Sequence, residues 1–157
     1  MLNGIGITRF ASGEFEEALT EFEDSLALWQ DLEERSGIIR TLNNIGSTCF
    51  ALDELNSALS AFDEALELHR AYLVESFGPR TKYKQTSQEL EDALEGVSDT
   101  LCNMAFVYSA TGATATAIFY LEEALRIQKT LHNAAQVEEI INMLSLLKPP
   151  VEDSCEI

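Results

Sequence analysis

One pattern of residues occurs three times along the chain, and each copy has the form of two helices joined by a short turn. In every copy, a small residue in the first helix is followed twelve positions later by an alanine in the second helix. The three pairs are Gly6 with Ala18, Gly46 with Ala58, and Ala105 with Ala117. A single helical hairpin cannot bury its apolar stripe, whereas stacked hairpins bury it against each other. The repeat therefore predicts an all-α stack of hairpins.

Apolar residues recur at the spacing of one helical face over seven segments. The predicted helices cover residues 2–11, 14–33, 36–52, 54–75, 87–111, 114–131 and 134–148. The three prolines, at positions 79, 149 and 150, interrupt none of these segments. Thr86 and Glu89 have the spacing of a capping box at the start of the fifth helix. Gly96 lies inside that helix and is expected to kink or split it, because glycine costs about 1 kcal/mol there relative to alanine.

We predict one repeat domain over residues 1–148, followed by a flexible tail over residues 149–157. The hairpins cover about 1–34, 35–76 and 86–131, and a terminal helix over 134–148 caps the last hairpin. The copies are 40 residues apart and then 59 residues apart, so the segment from about 76 to 96 is an insertion. This insertion contains a basic loop at residues 80–84. Such a run could seat an acidic peptide or a phosphate, but it is more often a solvated loop.

The threefold pattern resembles the tetratricopeptide repeat, whose signature places Leu-Gly and Tyr on one helix and Ala and Phe on the next. Residues 41–46 and 99–105 look most like the longer-period repeats of the kinesin light chain type. The resemblance implies a right-handed α-solenoid of three helix-turn-helix repeats plus a C-terminal capping helix. The proline that closes the standard repeat of about 34 residues is missing, and longer second helices account for its absence.

The chain carries 27 acidic residues against 10 lysines and arginines, for a net charge of −17. Such a surface repels nucleic-acid phosphates and anionic lipids, and it favours basic partners. The three cysteines include no C-x-x-C pair, which argues against a zinc site and fits a reducing compartment. No apolar run approaches the roughly 20 residues of a membrane span, and the N-terminus lacks the pattern of a signal peptide. We therefore expect an intracellular, cytoplasmic chain with no nucleic-acid partner, no membrane insertion and no cofactor.

In tetratricopeptide proteins the first helix of each pair lines a concave groove, and the resemblance places a partner-binding surface there. The expected groove residues are Asn3, Ile7, Phe10, Arg40, Asn43, Asn44, Ser47, Phe50, Asp99, Cys102, Asn103, Phe106 and Ser109. Related repeats use an asparagine at the matching positions of Asn44 and Asn103 to hold the backbone of an extended peptide. An amide suits that role because it offers both a donor and an acceptor. The alternative is that both asparagines only bond neighbouring helices.

Two further features bear on the groove. Its apolar members, which are Ile7, Phe10, Phe50 and Phe106, either form an exposed patch for an apolar anchor or pack against the second helices. Some members of the family hold a partner's C-terminal carboxylate with a basic clamp. Arg40 is present here, but Asp99 stands where a second cation would be needed, so we do not expect recognition of that kind.

The sequence predicts a protein-interaction module rather than an enzyme. It contains no phosphate-binding glycine loop, H-E-x-x-H or calcium-loop pattern, and its carboxylates fall on polar helix faces. The predicted function is that of an adaptor that binds a peptide segment or partner in the groove, with no catalytic residue and no metal. The alternative is a structural subunit, or a fragment of a larger assembly or longer repeat protein, that acts through its ends and convex face. No cap precedes the first hairpin, so that end could pair with another chain, as in a homo-oligomer, or be covered by residues outside this sequence.

Overall fold

The computed structural model describes residues 3–78 and 86–148, which form seven α-helices. They are α1 (Gly4–Ala11), α2 (Phe15–Asp31), α3 (Arg35–Ala51), α4 (Leu55–Phe77), α5 (Ser87–Ala110), α6 (Thr114–Thr130) and α7 (Ala134–Leu147). Each helix end lies within two residues of its predicted position, and the prediction of an all-α solenoid is confirmed. The basic loop at 80–84 and the predicted tail at 149–157 lie outside the described residues.

Short turns join the two helices of each hairpin, and each turn contains one residue with a positive φ. These residues are Gly13 (φ 81°) in the first hairpin, Asp53 (φ 62°) in the second and Gly112 (φ 77°) in the third. Glycine takes this left-handed conformation without steric strain, whereas Asp53 does so at a cost of about 1–2 kcal/mol. Turns this short make consecutive helices antiparallel neighbours.

In the first two hairpins an aromatic ring lies directly on a glycine. A Cβ atom added at Gly6 would lie 2.6 Å from Cε1 of Phe22, and one added at Gly46 would lie 2.6 Å from Cε1 of Phe62. Both distances are far shorter than van der Waals contact, so the ring occupies the space that any side chain would need. The two helices of each hairpin can therefore approach closely only because the residue beneath the ring has no side chain.

The third hairpin solves the same packing problem with different side chains. Its matching positions hold Ala105 and Leu121, both of which are buried. A side chain smaller than phenylalanine leaves room for the extra methyl group, so the interior stays close-packed. The alanine of the second helix is fully buried in all three copies, at Ala18, Ala58 and Ala117.

A second contact of a ring with a glycine joins each of the first two hairpins to the next one. A Cβ atom at Gly37 would overlap the ring of Trp29, and one at Gly96 would lie 2.5 Å from Cε1 of His69. Trp29 and His69 occupy matching positions in the repeat, 40 residues apart. Helix α5 runs without interruption through Gly96, so the expectation that this glycine splits the helix is wrong. Gly96 instead allows α4 and α5 to pack closely.

The longer spacing before the third hairpin is reflected in longer helices. Helices α4 and α5 contain 23 and 24 residues, whereas α2, α3 and α6 contain 17 each. The predicted capping box at the start of α5 is confirmed. The backbone N–H of Thr86 donates to Oε2 of Glu89 at 2.8 Å, and the N–H of Glu89 donates to Oγ1 of Thr86 at 3.2 Å.

One cluster of buried apolar residues continues from α3 to α7. Helix α7 closes this cluster with Ile140 and Leu144, both of which are buried. Nζ of Lys148 also forms an ion pair with Oε1 of Glu122 on α6 at 2.9 Å. The repeat and cap boundaries given above remain predictions, but α7 is placed as a terminal capping helix requires.

We expect the substitution Gly46→Leu to destabilise the fold, because the new side chain would collide with the ring of Phe62. Overpacking of this kind costs about 3 kcal/mol, which for a chain of this length lowers the melting temperature by about 10 °C. The matched control is Gly4→Leu, since no heavy atom lies within 4 Å of a Cβ atom at that position. Thermal unfolding followed by circular dichroism measures both variants, and an unchanged melting temperature for Gly46→Leu would contradict the packing described here.

Candidate functional site

Hydrogen bonds between asparagine and threonine join the first helices of successive hairpins. Nδ2 of Asn3 donates to Oγ1 of Thr41 on α3 at 2.9 Å. Oγ1 of Thr100 on α5 lies 3.1 Å from Oδ1 of Asn43 on α3 and can donate to it. The two pairs occupy matching positions in the repeat. These bonds hold α1, α3 and α5 side by side along one face of the solenoid.

A cavity of about 830 Å³ lies between α3 and α5 on this face. We refer to it as the polar cavity, because ten of its seventeen lining residues carry a charged or an amide group. Among its lining residues are Arg40, Asn43, Asn44 and Ser47 from α3, Asp92, Asp99 and Asn103 from α5, and His69 and Tyr72 from α4. Two successive first helices therefore form its walls, and the end of a second helix closes one side.

Asn44 differs from its neighbour Asn43 in having no hydrogen-bond partner for its amide nitrogen among the described residues. The nitrogen is buried, although the residue as a whole is only partly buried and lines the polar cavity. Asn43 uses both ends of its amide, since Nδ2 also donates to the carbonyl oxygen of Ile39 at 3.3 Å. Half a turn about the last side-chain torsion exchanges the nitrogen and oxygen of Asn44, so either atom can face the cavity.

The charges that line the polar cavity are mostly negative. Arg35 is already engaged, because its Nη1 forms an ion pair with Oε2 of Glu75 at 2.7 Å and its guanidinium lies over the ring of Tyr72. Asp99 is exposed to the cavity and has no ion-pair partner among the described residues. Desolvation by the surrounding protein raises the pKa of Asp99, and the nearby negative charges of Glu95 and Glu139 raise it further.

His69 lies at the α4 side of the polar cavity, where its ring rests on Gly96. The side chain is buried, and this burial lowers its pKa. The imidazole is therefore neutral near pH 7 and adds no positive charge to the cavity. His69 therefore does not offset the negative charges around Asp99.

A second cavity of about 280 Å³ adjoins the first and is lined mainly by phenylalanines. We refer to it as the apolar cavity. Phe10, Phe50 and Phe106 line it, and Phe62 from the core lines it as well. Phe50 and Phe106 are 36% and 49% exposed, so the structure favours the exposed patch over complete packing against the second helices. Ser47 and Asn103 line both cavities, which makes the two cavities one continuous surface. We call this surface the groove.

Comparison with known protein families agrees with this architecture. A family model described as Tetratricopeptide repeat matches residues 1–71, and a second model with the same description matches residues 98–131. The chain belongs to the tetratricopeptide repeat family. Neither match distinguishes the longer-period repeats of the kinesin light chain type, so that part of the prediction stays a prediction. No curated protein matches the chain.

The structure brings most of the predicted groove residues of this tetratricopeptide protein together. Those that line the polar cavity, the apolar cavity or both are Phe10, Arg40, Asn43, Asn44, Ser47, Phe50, Asp99, Asn103 and Phe106. Ile7 is exposed and Ser109 is partly buried, and neither lines a cavity.

Asn3 and Cys102 require a correction, because they lie between helices and line neither cavity. Asn3 is buried and bonded to Thr41. Cys102 occupies the repeat position that matches Asn43, and it packs against the core cluster that contains Ile140. The third copy thus has an apolar contact with the core where the first two have hydrogen bonds. Burial, with the charges of Asp99 and Glu139, raises the pKa of the Cys102 thiol to about 12, so it stays protonated.

Sequence reasoning missed the contribution of α4 to the groove. Tyr72 lines the polar cavity because α4 continues beyond the length of the other second helices, whereas His69 lines it from a position that the shorter α2 also has. The match between His69 and Trp29 predicts a packing position for the histidine, but it gives no sign of the cavity beside it.

The described part of the chain contains no group of three His, Cys, Asp or Glu side chains able to hold a metal. None of the helices in residues 3–78 and 86–148 is both long and apolar enough to cross a membrane.

We expect Asn43→Ala and Asn44→Ala to affect stability in different ways. The first substitution removes hydrogen bonds to Thr100 and to the Ile39 carbonyl and should lower the free energy of unfolding by about 1–2 kcal/mol. The second removes an unpaired amide nitrogen, so the free energy of unfolding should stay the same or rise by up to about 1 kcal/mol. Urea denaturation of the two variants tests this contrast. A larger loss for Asn44→Ala than for Asn43→Ala would mean that Asn44 has a structural role.

Proposed function

We propose that the chain is an interaction module, or adaptor, that binds a peptide segment of a partner protein in the groove. The observation that carries this proposal is the unpaired amide of Asn44 in the polar cavity. A buried donor without a partner costs about 1–3 kcal/mol. Half a turn of the amide would bring this nitrogen to the cavity, where a backbone carbonyl of a bound peptide would accept its hydrogen bond. Tetratricopeptide repeats generally mediate protein–protein interactions, which supports a role of this class.

The size and composition of the groove support the same proposal. Its larger cavity, of about 830 Å³, falls within the range of about 300–1,000 Å³ that is usual for ligand sites. The polar cavity offers amide groups from Asn44 and Asn103, and the adjoining apolar cavity offers exposed faces of Phe50 and Phe106. Polar groups that orient a ligand and apolar groups that anchor it are the two components of a typical interface.

The proposal assigns no catalytic residue, cofactor or nucleic-acid partner to this protein. The net charge of −17 supports the exclusion of nucleic acid, because phosphates would be repelled. The family typically acts as a non-catalytic interaction module. The three widely spaced cysteines support a cytoplasmic site of action, where thiols stay reduced.

We expect the double variant Asn44→Ala, Asn103→Ala to lose affinity for peptides that the wild-type chain selects from a random displayed library. The affinity should fall tenfold or more, because each asparagine of the wild-type chain would bond the peptide backbone. A tenfold loss corresponds to about 1.4 kcal/mol. Isothermal titration calorimetry measures the affinity, and far-ultraviolet circular dichroism confirms that helicity is kept. The matched control is Asn56→Ala, Asn142→Ala, since both asparagines are exposed and line neither cavity. Equal affinities for the wild-type chain and the groove variant would contradict the proposal.

A second candidate function is a structural role through the N-terminal face of the first hairpin. Ile5 is 59% exposed, whereas its counterparts in the second and third copies, Ile45 and Met104, pack in the core. In those copies the second helix of the preceding hairpin covers the position. The exposed Ile5 therefore fits a further tetratricopeptide hairpin, supplied by a second copy of this chain or by another protein.

We expect sedimentation velocity to separate this candidate from the first. If the face mediates self-association, the chain forms dimers at high concentration and Ile5→Lys returns it to a monomer. The lysine has this effect because burying an unpaired charge in an apolar interface is costly. The control Leu146→Lys changes an exposed apolar residue on α7 at the other end, which is 85% exposed, and should leave the dimer intact. A wild-type chain that stays monomeric at all concentrations would contradict self-association through this face.

A further inference from the structure

We infer that the groove selects an extended peptide with a basic side chain against Asp99 and an aromatic or large aliphatic side chain in the apolar cavity, about three residues away. This inference rests on the proposed function, because it names the chemistry of the segment that the groove would bind. It follows from the charges of the polar cavity, from the exposure of two phenylalanines, and from the distance between the two subsites.

The charge requirement follows from an excess of carboxylates. Those that line the polar cavity belong to Glu33, Glu34, Glu89, Asp92 and Asp99. Its two arginines do not balance them, because Arg35 is paired with Glu75 outside the cavity lining and leaves only Arg40. A cationic side chain from the partner would therefore be attracted into the cavity.

Asp99 is the carboxylate best placed to receive that cation. Glu89 is engaged in the capping box with Thr86, and Oδ1 of Asp92 accepts a hydrogen bond from Nε2 of Gln88 at 2.7 Å. Asp99 has no such partner among the described residues, and its side chain is exposed to the cavity. Desolvation and the nearby negative charges of Glu95 and Glu139 raise the pKa of Asp99. A lysine or arginine of a partner would compensate the charge of Asp99.

The apolar requirement follows from the second cavity. Phe50 and Phe106 expose 36% and 49% of their surface there, and Phe10 borders the same space. When an apolar side chain of a partner covers exposed aromatic surface in a concavity, the burial of apolar surface favours binding. The volume of about 280 Å³ is enough for one large side chain rather than for a folded element.

The spacing of the two subsites follows from α5, on which Asp99 and Phe106 both lie. Residues seven positions apart on a helix are about 10 Å apart along its axis. An extended segment of the polyproline II type rises about 3.1 Å per residue and presents the same face every third residue. A basic and an apolar side chain three residues apart would therefore span the two subsites. The segment is extended rather than helical because only an extended backbone leaves its carbonyl groups free to bond Asn44.

Selection of random twelve-residue peptides displayed on phage against the whole chain tests the inference. We expect the enriched peptides to carry lysine or arginine three residues from phenylalanine, tryptophan or leucine. Their affinity, measured by fluorescence anisotropy with the synthetic peptides, should fall as salt is raised, because the ion pair at the groove is screened.

Variants of the two subsites provide the second arm of the test. Asp99→Lys should weaken the selected peptides about tenfold or more, and a new selection on that variant should favour acidic residues at the basic position. Phe106→Ser should weaken the same peptides by a similar factor. The matched controls are Asp24→Lys on α2 and Phe119→Ser on α6, which are exposed and line neither cavity. The variant Asp99→Asn separates a loss of binding from a loss of folding. Its melting temperature should equal or exceed that of the wild-type chain, while its affinity for the basic peptides falls.

The outcomes separate this inference from the proposed function. Peptides that need Asn44 and Phe106 but carry neutral or acidic residues at the basic position would overturn the inference and leave the proposed function standing. An Asp99→Lys variant that binds the selected peptides with unchanged affinity would do the same. No enrichment at all, or enriched peptides that bind every groove variant equally well, would overturn both.

Discussion

The contact of an aromatic ring with a glycine is the interaction on which the rest of this structure depends. It occurs within the first two hairpins, where Phe22 and Phe62 lie on glycines, and between hairpins, where Trp29 and His69 lie on two others. Each ring fills the space left by a missing side chain, which sets how closely two helices approach and so fixes the relative position of all the side chains they carry. The third hairpin replaces the first kind of contact with Ala105 and Leu121, both of which are buried.

Closely spaced first helices create two kinds of asparagine position that differ by one residue in the sequence. Asn43 points toward the next helix, where its amide is held near Thr100, whereas Asn44 lies about 100° further around the helix and lines the polar cavity. The same amide group is thus structural at one position and available to a partner at the next. The packing of α3 against α5 makes the distinction, since it occupies the first amide and leaves the second without a partner among the described residues.

The departures from strict repetition occur where the groove is built. The extra residues at the end of α4 and at the start of α5 bring Tyr72, Glu89 and Asp92 to the edge of the polar cavity. Asp99 occupies the position that matches Arg40, so the two walls carry opposite charges. The positions that are alike in all three copies hold the helices in place. The positions that differ, in the longer helices and at Asp99, give the groove its polarity. A stack of identical hairpins would lack that polarity.

The sequence by itself determined the fold, because the positions of small and apolar residues in three copies leave no other way to bury the stripes of seven helices. It also placed most of the groove residues on one face, since helical periodicity and the repeat register define which side each residue takes. It did not decide which amides are free, because Asn3, Asn43 and Asn44 are chemically alike and differ only in what the neighbouring helix brings near them. Nor did it show the role of Gly96. By helix propensity alone this glycine destabilises α5, but in the folded chain it makes room for the ring of His69. Contacts between residues 27, 38 or 57 positions apart decided these questions, and only the tertiary structure brings such residues together.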